Sequence, residues 1–362
     1  MLDVHWTEDG RLRAAGWRSP EPPPAVLVPA DDTMNARTAY RLAREGTGLV
    51  WRGDYHNARQ LLRALARRAD MGRTAPAGFH EYRPARAARA RLLARLLVPL
   101  AADLSVPLRR APDVRQACAE AYGRPAGPAL VPLTELLGVI GAHEWRVKGV
   151  PVPALGARIH PHYGVFSPVR GEYVDLVARA PLPSRTAAFD VGTGTGVLAA
   201  VLAVRGVRRV VATDMDERAV ACARDNLDRL GLGDRVEVGR RSLFPEGRVP
   251  LVVCNPPWLP ATPRTALDHA VYDGDGRMLD GFLSGLAGHL SPGGEGWLIL
   301  SDLAEHLGLR TRRELLAAFD GAGLRVAGRL EARPRHRRAA DAADPLHAAR
   351  AAEVTSLWRL TR

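Results

Sequence analysis

The sequence predicts an α/β fold: a mostly parallel sheet with helices on both faces, preceded by a mainly helical module. Three observations carry that expectation. From Ala187 onward, short apolar runs alternate with amphipathic segments, the pattern of successive βαβ units. The first of these runs leads into a glycine turn, Asp190-Val191-Gly192-Thr193-Gly194-Thr195-Gly196, and then into a segment rich in Leu, Val and Ala. Toward the N-terminus the alternation gives way to arginine-studded runs of helical period. The expected division is therefore 1–155, mainly helical, and 156–362, α/β.

In chain order, residues 1–35 carry two tryptophans and the proline cluster Pro20 to Pro24, and read as irregular or small β structure. Segments 38–43 and 58–65 are amphipathic helical runs, split by the glycine-bounded stretch 46–53. Segment 86–100 reads as a third helix, with Arg89, Arg91 and Arg95 beside Leu92, Leu93, Leu96 and Leu97. Segments 114–122 and 130–138 are candidates for two more. The arginines read as a solvated helix face. Candidate strands follow at 187–191, 209–214, 235–238, 251–254, 297–301, 324–330 and 354–360, with helices between them, for example at 217–230 and 280–290.

The chemistry-bearing residues lie where these strands end. The glycines suit a turn that brings bare backbone close to a ligand. The spacing is D-x-G-x-G-x-G. It is not the nicotinamide fingerprint G-x-G-x-x-G, because Val197 stands where the last glycine would fall. The next strand ends in Asp214, 22 residues after Gly192, close to the ~20 expected for an acid that binds ribose hydroxyls. A carboxylate offers two acceptor oxygens, one for each hydroxyl. Asp216 is the better candidate to cap the helix that follows. The strand at 251–254 runs into Asn255-Pro256-Pro257-Trp258. Neither proline can donate to a sheet ladder, and Asn255 is pushed out of the helical region by the proline after it.

Taken in this order, the glycine turn, Asp214 and Asn255 to Trp258 resemble the class I S-adenosylmethionine-dependent methyltransferases. The likeness is to the branch whose fourth strand ends in Pro-Pro followed by an aromatic residue, and within it to the HemK-type protein-glutamine methyltransferases. Tyr272-Asp273-Gly274-Asp275-Gly276-Arg277-Met278-Leu279 resembles their glycine-rich segment, and Phe166-Ser167-Pro168-Val169-Arg170-Gly171-Glu172-Tyr173 matches their Pro-Arg-x-x-Thr-Glu lead-in loosely. The resemblance covers roughly residues 160–330.

The resemblance implies a Rossmann-like sheet of seven strands with the last antiparallel, paired with its predecessor as a hairpin. Residues 334–350, with Arg335-His336-Arg337-Arg338, would be an inserted loop. It also implies a helical substrate-recognition domain at the N-terminus. S-adenosylmethionine is the implied cofactor, held by Asp190, Gly192, Thr193, Gly194, Thr195, Gly196, Asp214, Met215, Ser242, Leu243 and Asn255. Asp190 would face the methionine amino end and Leu243 would pack on the adenine. Ser242 departs from the family, where an Asp commonly touches the adenine amine. Asn255, Pro256, Pro257 and Trp258 would be catalytic. The Asn255 side chain and the Pro256 carbonyl would hold the acceptor N–H groups, and Trp258 would stack on the planar acceptor.

Bulk properties agree with a soluble two-domain protein. The 362 residues are 25% charged and 46% hydrophobic. No apolar run is long enough to cross a bilayer, and the first ten residues do not read as a signal peptide. Cys118, Cys222 and Cys254 form no C-x-x-C pair, which suits reduced thiols in a cytoplasm and no metal site. His160 and His162 lack partners at metal-ligand spacing and read as loop residues near the cleft. The net charge is +12, and such a balance is compatible with nucleic acid. All the basic side chains except Lys148 are arginine, however, as a GC-rich coding sequence would produce. The leading expectation is an N-methyltransferase for a glutamine amide on a protein, such as a release factor. The alternative is an RNA or DNA base methyltransferase acting on adenine N6 or guanine N2. A non-catalytic S-adenosylmethionine-binding protein is a minor third reading.

Overall fold

The computed structural model describes residues 2–71, 76, 78–124, 127–262, 271–334 and 341–362. The chain forms two compact units, Met1–Glu144 and Trp145–Arg362. The division falls before the expected 155/156. The reason is the hairpin 150–159, whose Val152 and Ile159 are buried with Tyr173, Val177 and Leu198 in the core of the second unit.

The first unit is built on a six-stranded sheet, which corrects the expectation of a mainly helical module. Its strands are β1 (Asp3–Glu8), β2 (Arg11–Trp17), β3 (Leu27–Ala30), β4 (Gly48–Trp51), β5 (Leu96–Leu100) and β6 (Ala129–Pro132). Its helices are α1 (Ala36–Arg44), α2 (Tyr55–Asp70), α3 (Phe79–Leu93) and α4 (Arg115–Tyr122), with α5 (Leu133–Lys148) leading into the second unit. The sheet order is β1-β2-β6-β5-β4-β3. Strands β3, β4 and β5 run parallel, joined by helical crossovers. Segments 38–43, 58–65 and 114–122 lie in helices as expected. Segment 86–100 is instead the end of α3 followed by β5, and 130–138 is the end of β6 followed by the start of α5. The physical cause is burial. Strands β4, β5 and β6 are buried at every position, so they show no alternation, and a short apolar run looks the same in a buried strand and a buried helix.

The second unit opens with the hairpin of β7 (Val150–Val152) and β8 (Ala157–Ile159), then α6 (Glu172–Arg179). The alternating region follows as β9 (Ala187–Val191), α7 (Val197–Val204), β10 (Arg209–Asp214), α8 (Glu217–Arg229), β11 (Val236–Arg240), β12 (Val249–Cys254), α9 (Arg277–His289) and β13 (Leu290–Ser301). It ends with α10 (Leu303–His306), α11 (Arg312–Gly321), β14 (Arg325–Ala332), α12 (His347–Ala352) and β15 (Thr355–Thr361). The seven-stranded sheet has the order β11-β10-β9-β12-β13-β15-β14. β15 runs antiparallel to both its neighbours, β13 and β14, and its pairing with β14 is as expected. Arg335 to Arg338 lie outside the described residues.

Two hydrophobic layers hold this sheet, and the strand period of two assigns residues to them. Trp297, Ile299, Leu251 and Val253 enter one layer with α6 and α7. Leu298, Leu300, Val252 and Cys254 enter the other with α9 and α11. Helix α7 is apolar on all sides and is buried from Val197 to Ala203. Among the described residues no helix is long and apolar enough to cross a membrane, and no His, Cys, Asp and Glu cluster could hold a metal ion.

Candidate active site

Register brings the sequence motifs together. Val191 of β9 lies opposite Thr213 of β10 on one side and Cys254 of β12 on the other. The glycine turn, Asp214 and Asn255 therefore leave the sheet side by side at its carboxyl edge, where ligands of open α/β sheets bind.

Asp190 organises the turn from beneath. It is 1% exposed. Its Oδ2 accepts from the Thr193 hydroxyl at 2.6 Å and from the Ala199 backbone N–H at 3.0 Å. Its Oδ1 is buried with no hydrogen-bond partner. Burial raises its pKa to about 6, against the lowering effect of those two hydrogen bonds. The backbone N–H groups of Gly192 and Thr193 both donate to Thr213 O, which locks the turn onto β10. Gly194 and Gly196 have φ of +55° and +80°, where a Cβ is disfavoured. A side chain at Gly196 would press on the Cα and carbonyl of Ala223, whereas at Gly194 it would meet nothing within 4 Å. The turn is thus packed on the α8 side and open at Gly194.

Asp214 faces this opening. Its Oδ2 accepts from the Gly194 N–H and its Oδ1 from the Asp216 N–H, both at 3.0 Å. Each oxygen keeps a second lone pair. Burial shifts its pKa upward, partly offset by those N–H groups. Asp216 caps α8, as expected, by accepting from the Arg218 N–H. Met215 is exposed, and so is Ser242. Leu243 lies under Thr213, whose hydroxyl donates to its carbonyl, and packs against α9 at Gly281. The Thr195 carbonyl is held by Asn226 of α8, whose buried amide also serves His160 and Cys222. Asn226 escaped sequence reading because an amide inside an amphipathic helix carries no motif.

The loop after β12 starts with a pairing that the sequence does not announce. The Trp258 indole N–H donates to Asn255 Oδ1 at 2.9 Å. The other lone pair of Oδ1 stays available, and the Pro256 carbonyl receives no hydrogen bond from a described residue. Trp258 does not present two bare faces: the Arg170 guanidinium carbon lies 5.1 Å from the ring centroid. Beyond it, Leu259 and Asp273 bond through their backbones, and Asp273 accepts from the N–H groups of Met278 and Leu279 at the start of α9. This places the Met278 methyl 2.5 Å from where a Gly192 Cβ would stand. The glycine-rich segment thus closes over the glycine turn. His160 and His162 are tied to α8, His162 through Asp225 at 3.0 Å.

A family model described as ribosomal protein L11 methyltransferase (PrmA) matches residues 178–256. The chain is 32% identical over 186 residues to a release factor glutamine methyltransferase from Cereibacter sphaeroides, covering 45% of this chain and 66% of the relative. It is 36% identical over 146 residues to a ribosomal protein L11 methyltransferase from Pelotomaculum thermopropionicum, covering 40% and 39%. It is 30% identical over 161 residues to a tRNA1(Val) (adenine(37)-N6)-methyltransferase from Bacteroides fragilis, covering 39% and 66%. The matches span less than two thirds of the length of each of these relatives. The matched residues 178–256 lie in the second unit, which is therefore similar over that stretch to a methyltransferase domain.

The residues of this unit fit S-adenosylmethionine, the cofactor implied by the sequence motifs. Asp190 Oδ1 is a buried acceptor lacking a donor, which suits an ammonium group. The open side of Gly194 leaves backbone bare for close approach. Asp214 has a lone pair on each oxygen for a pair of vicinal hydroxyls.

Proposed function

We propose that the protein transfers a methyl group from S-adenosylmethionine to a planar, conjugated nitrogen, and that this nitrogen is a glutamine side-chain amide of a protein. The observation that carries the reading is the pair of carbonyl oxygens at the end of β12, Asn255 Oδ1 and Pro256 O. Both have acceptor capacity to spare and both stand beside the glycine turn. The relatives named for glutamine methylation support the choice of acceptor. The three buried free cysteines suit a reducing cytoplasm.

The chemistry follows from what those oxygens can do. Bound S-adenosylmethionine would supply a methyl group on a sulfonium, whose S–CH3 bond breaks in the transfer so that a neutral thioether leaves. An amide nitrogen is a weak nucleophile because its lone pair is delocalised. Asn255 Oδ1 and Pro256 O each accept one N–H of the acceptor and turn its lone pair toward the cofactor side. As the N–C bond forms, positive charge grows on nitrogen, and the two oxygens bind that charge better than the neutral amide. The nitrogen becomes acidic as it is alkylated and loses its proton to solvent, so no strong base is required. In-line placement supplies much of the remaining advantage.

The test is labelled methyl transfer into a cell extract, followed by protease or nuclease. Label released by protease and resistant to nuclease is expected. Asn255→Ala should abolish transfer and leave cofactor affinity within a few-fold. Full activity in that variant would refute the mechanism.

A relative named for tRNA adenine N6 methylation supports a nucleic-acid base as the alternative acceptor. In a duplex the target base would be flipped out. Under this reading label is released by nuclease, and RNA binding falls steeply with salt.

A further inference from the structure

We propose that Arg170 is a positioning residue that fixes the Trp258 indole and, through the indole N–H, sets the orientation of the Asn255 amide before the acceptor arrives. The inference rests on the methyl-transfer reading above.

Asparagine can present either its oxygen or its NH2 group to a neighbour, and only the oxygen is useful here for holding an acceptor N–H. The indole nitrogen is a donor only. Facing it, the amide must turn Oδ1 inward, as the 2.9 Å contact shows; the flipped amide would set donor against donor. A phenylalanine at 258 would keep the ring and lose this control.

The indole can steer Asn255 only if it is itself held. Trp258 packs on both hydrophobic layers of the domain and lies beneath Arg170. Arg170 is held in turn by two carboxylates. Its Nε donates to Glu172 Oε1 and its Nη2 to Glu353 Oε1, each at 2.9 Å. Glu353 is fully buried and also accepts from the Ser301 hydroxyl at 2.6 Å. Ser301 ends β13, and Glu353 immediately precedes the β15 region. A chain of contacts therefore runs from the rigid strand ends through Glu353, Arg170 and Trp258 to Asn255. Stability alone is a poor account of this arrangement, because a buried ion pair is commonly matched or bettered by apolar residues. Its distinctive property is geometry. A guanidinium can lie flat on an indole and use two N–H groups in its own plane, and a lysine cannot.

The test is a double-mutant cycle on the full-length protein with two readouts. The first is solvent exchange of the Trp258 indole proton in 15N-labelled protein, assigned by its disappearance in Trp258→Phe. The second is kcat for label transfer from S-adenosylmethionine into the protein fraction of a cell extract. Arg170→Lys should speed indole exchange at least tenfold and lower kcat by about ten- to a hundredfold, with cofactor affinity unchanged within twofold. Trp258→Phe should lower kcat similarly, and the double variant no further, because Arg170 acts through the indole. Additive losses, or an indole proton equally protected in Arg170→Lys, would overturn the proposal. Arg170→Gln, which keeps a flat polar end without the charge, serves as the second variant if Arg170→Lys fails to bind cofactor. If the wild-type protein transfers no label, the reaction assignment fails while the exchange readout still decides whether Arg170 holds Trp258.

Discussion

At the scale of single residues, the buried carboxyl of Asp190 has a pH dependence whose sign can be worked out. Burial raises its folded-state pKa from 3.8 to about 6. Protons then bind the folded chain more readily than the unfolded one between those values. Its contribution to the stability of the cofactor-free fold is full below 3.8 and is lost as pH rises through about 6. A cofactor ammonium reverses the preference, because it needs the ionised carboxylate. Cofactor affinity measured by calorimetry should therefore weaken as pH falls below about 6, and Asp190→Asn should flatten that slope. Asp214→Ala removes the acceptors for two hydroxyls and should cost about 1.5–3 kcal/mol of cofactor binding. A loss much smaller than this in equilibrium binding would remove Asp214 from the cofactor site.

At the scale of elements, the turn between β9 and α7 separates stability from binding. Gly196 has left-handed φ and α8 backbone against its Cβ position. Gly196→Ala should destabilise the domain by about 1–2 kcal/mol or more, read from the midpoint of urea unfolding. Gly194 has left-handed φ with open space beside it. Gly194→Ala carries the left-handed backbone strain of about 1 kcal/mol without the clash, and should in addition weaken cofactor affinity, since its methyl group enters the opening that Asp214 faces. Equal effects of the two variants on both measurements would contradict the division of the turn into a packed and an open side. Both glycines were legible in the sequence, but the packed partner Ala223 was not, because it lies one helix away.

At the scale of the whole molecule, each residue assigned to the cofactor or to the catalytic loop belongs to the unit Trp145–Arg362. A fragment that retains all of α5 and the second unit should bind S-adenosylmethionine within a few-fold of the full chain. Loss of acceptor methylation by that fragment, with cofactor binding intact, would assign acceptor recognition to the first unit. Retained methylation would show the second unit to be self-sufficient. That first unit was also the part least legible in the sequence. Strands such as Gly48–Trp51 and Leu96–Leu100 are buried at every position, and the signal that separates strand from helix is an alternation that burial on both faces erases.

The sequence by itself determined the alternating α/β order of the second unit, and the identities of Asp190, the three glycines, Asp214 and Asn255 to Trp258. These were readable because strand ends, glycine turns and prolines are local in the chain. Tertiary structure alone decided which groups are free to act. It paired Trp258 with Asn255, laid Arg170 on the indole, and left Asp190 Oδ1 without a donor. The placement of Arg170 joins residues far apart in sequence, the indole of Trp258 on one side and Glu353 on the other. No local pattern encodes a contact that exists only once two strand ends have been brought to the same edge of a sheet.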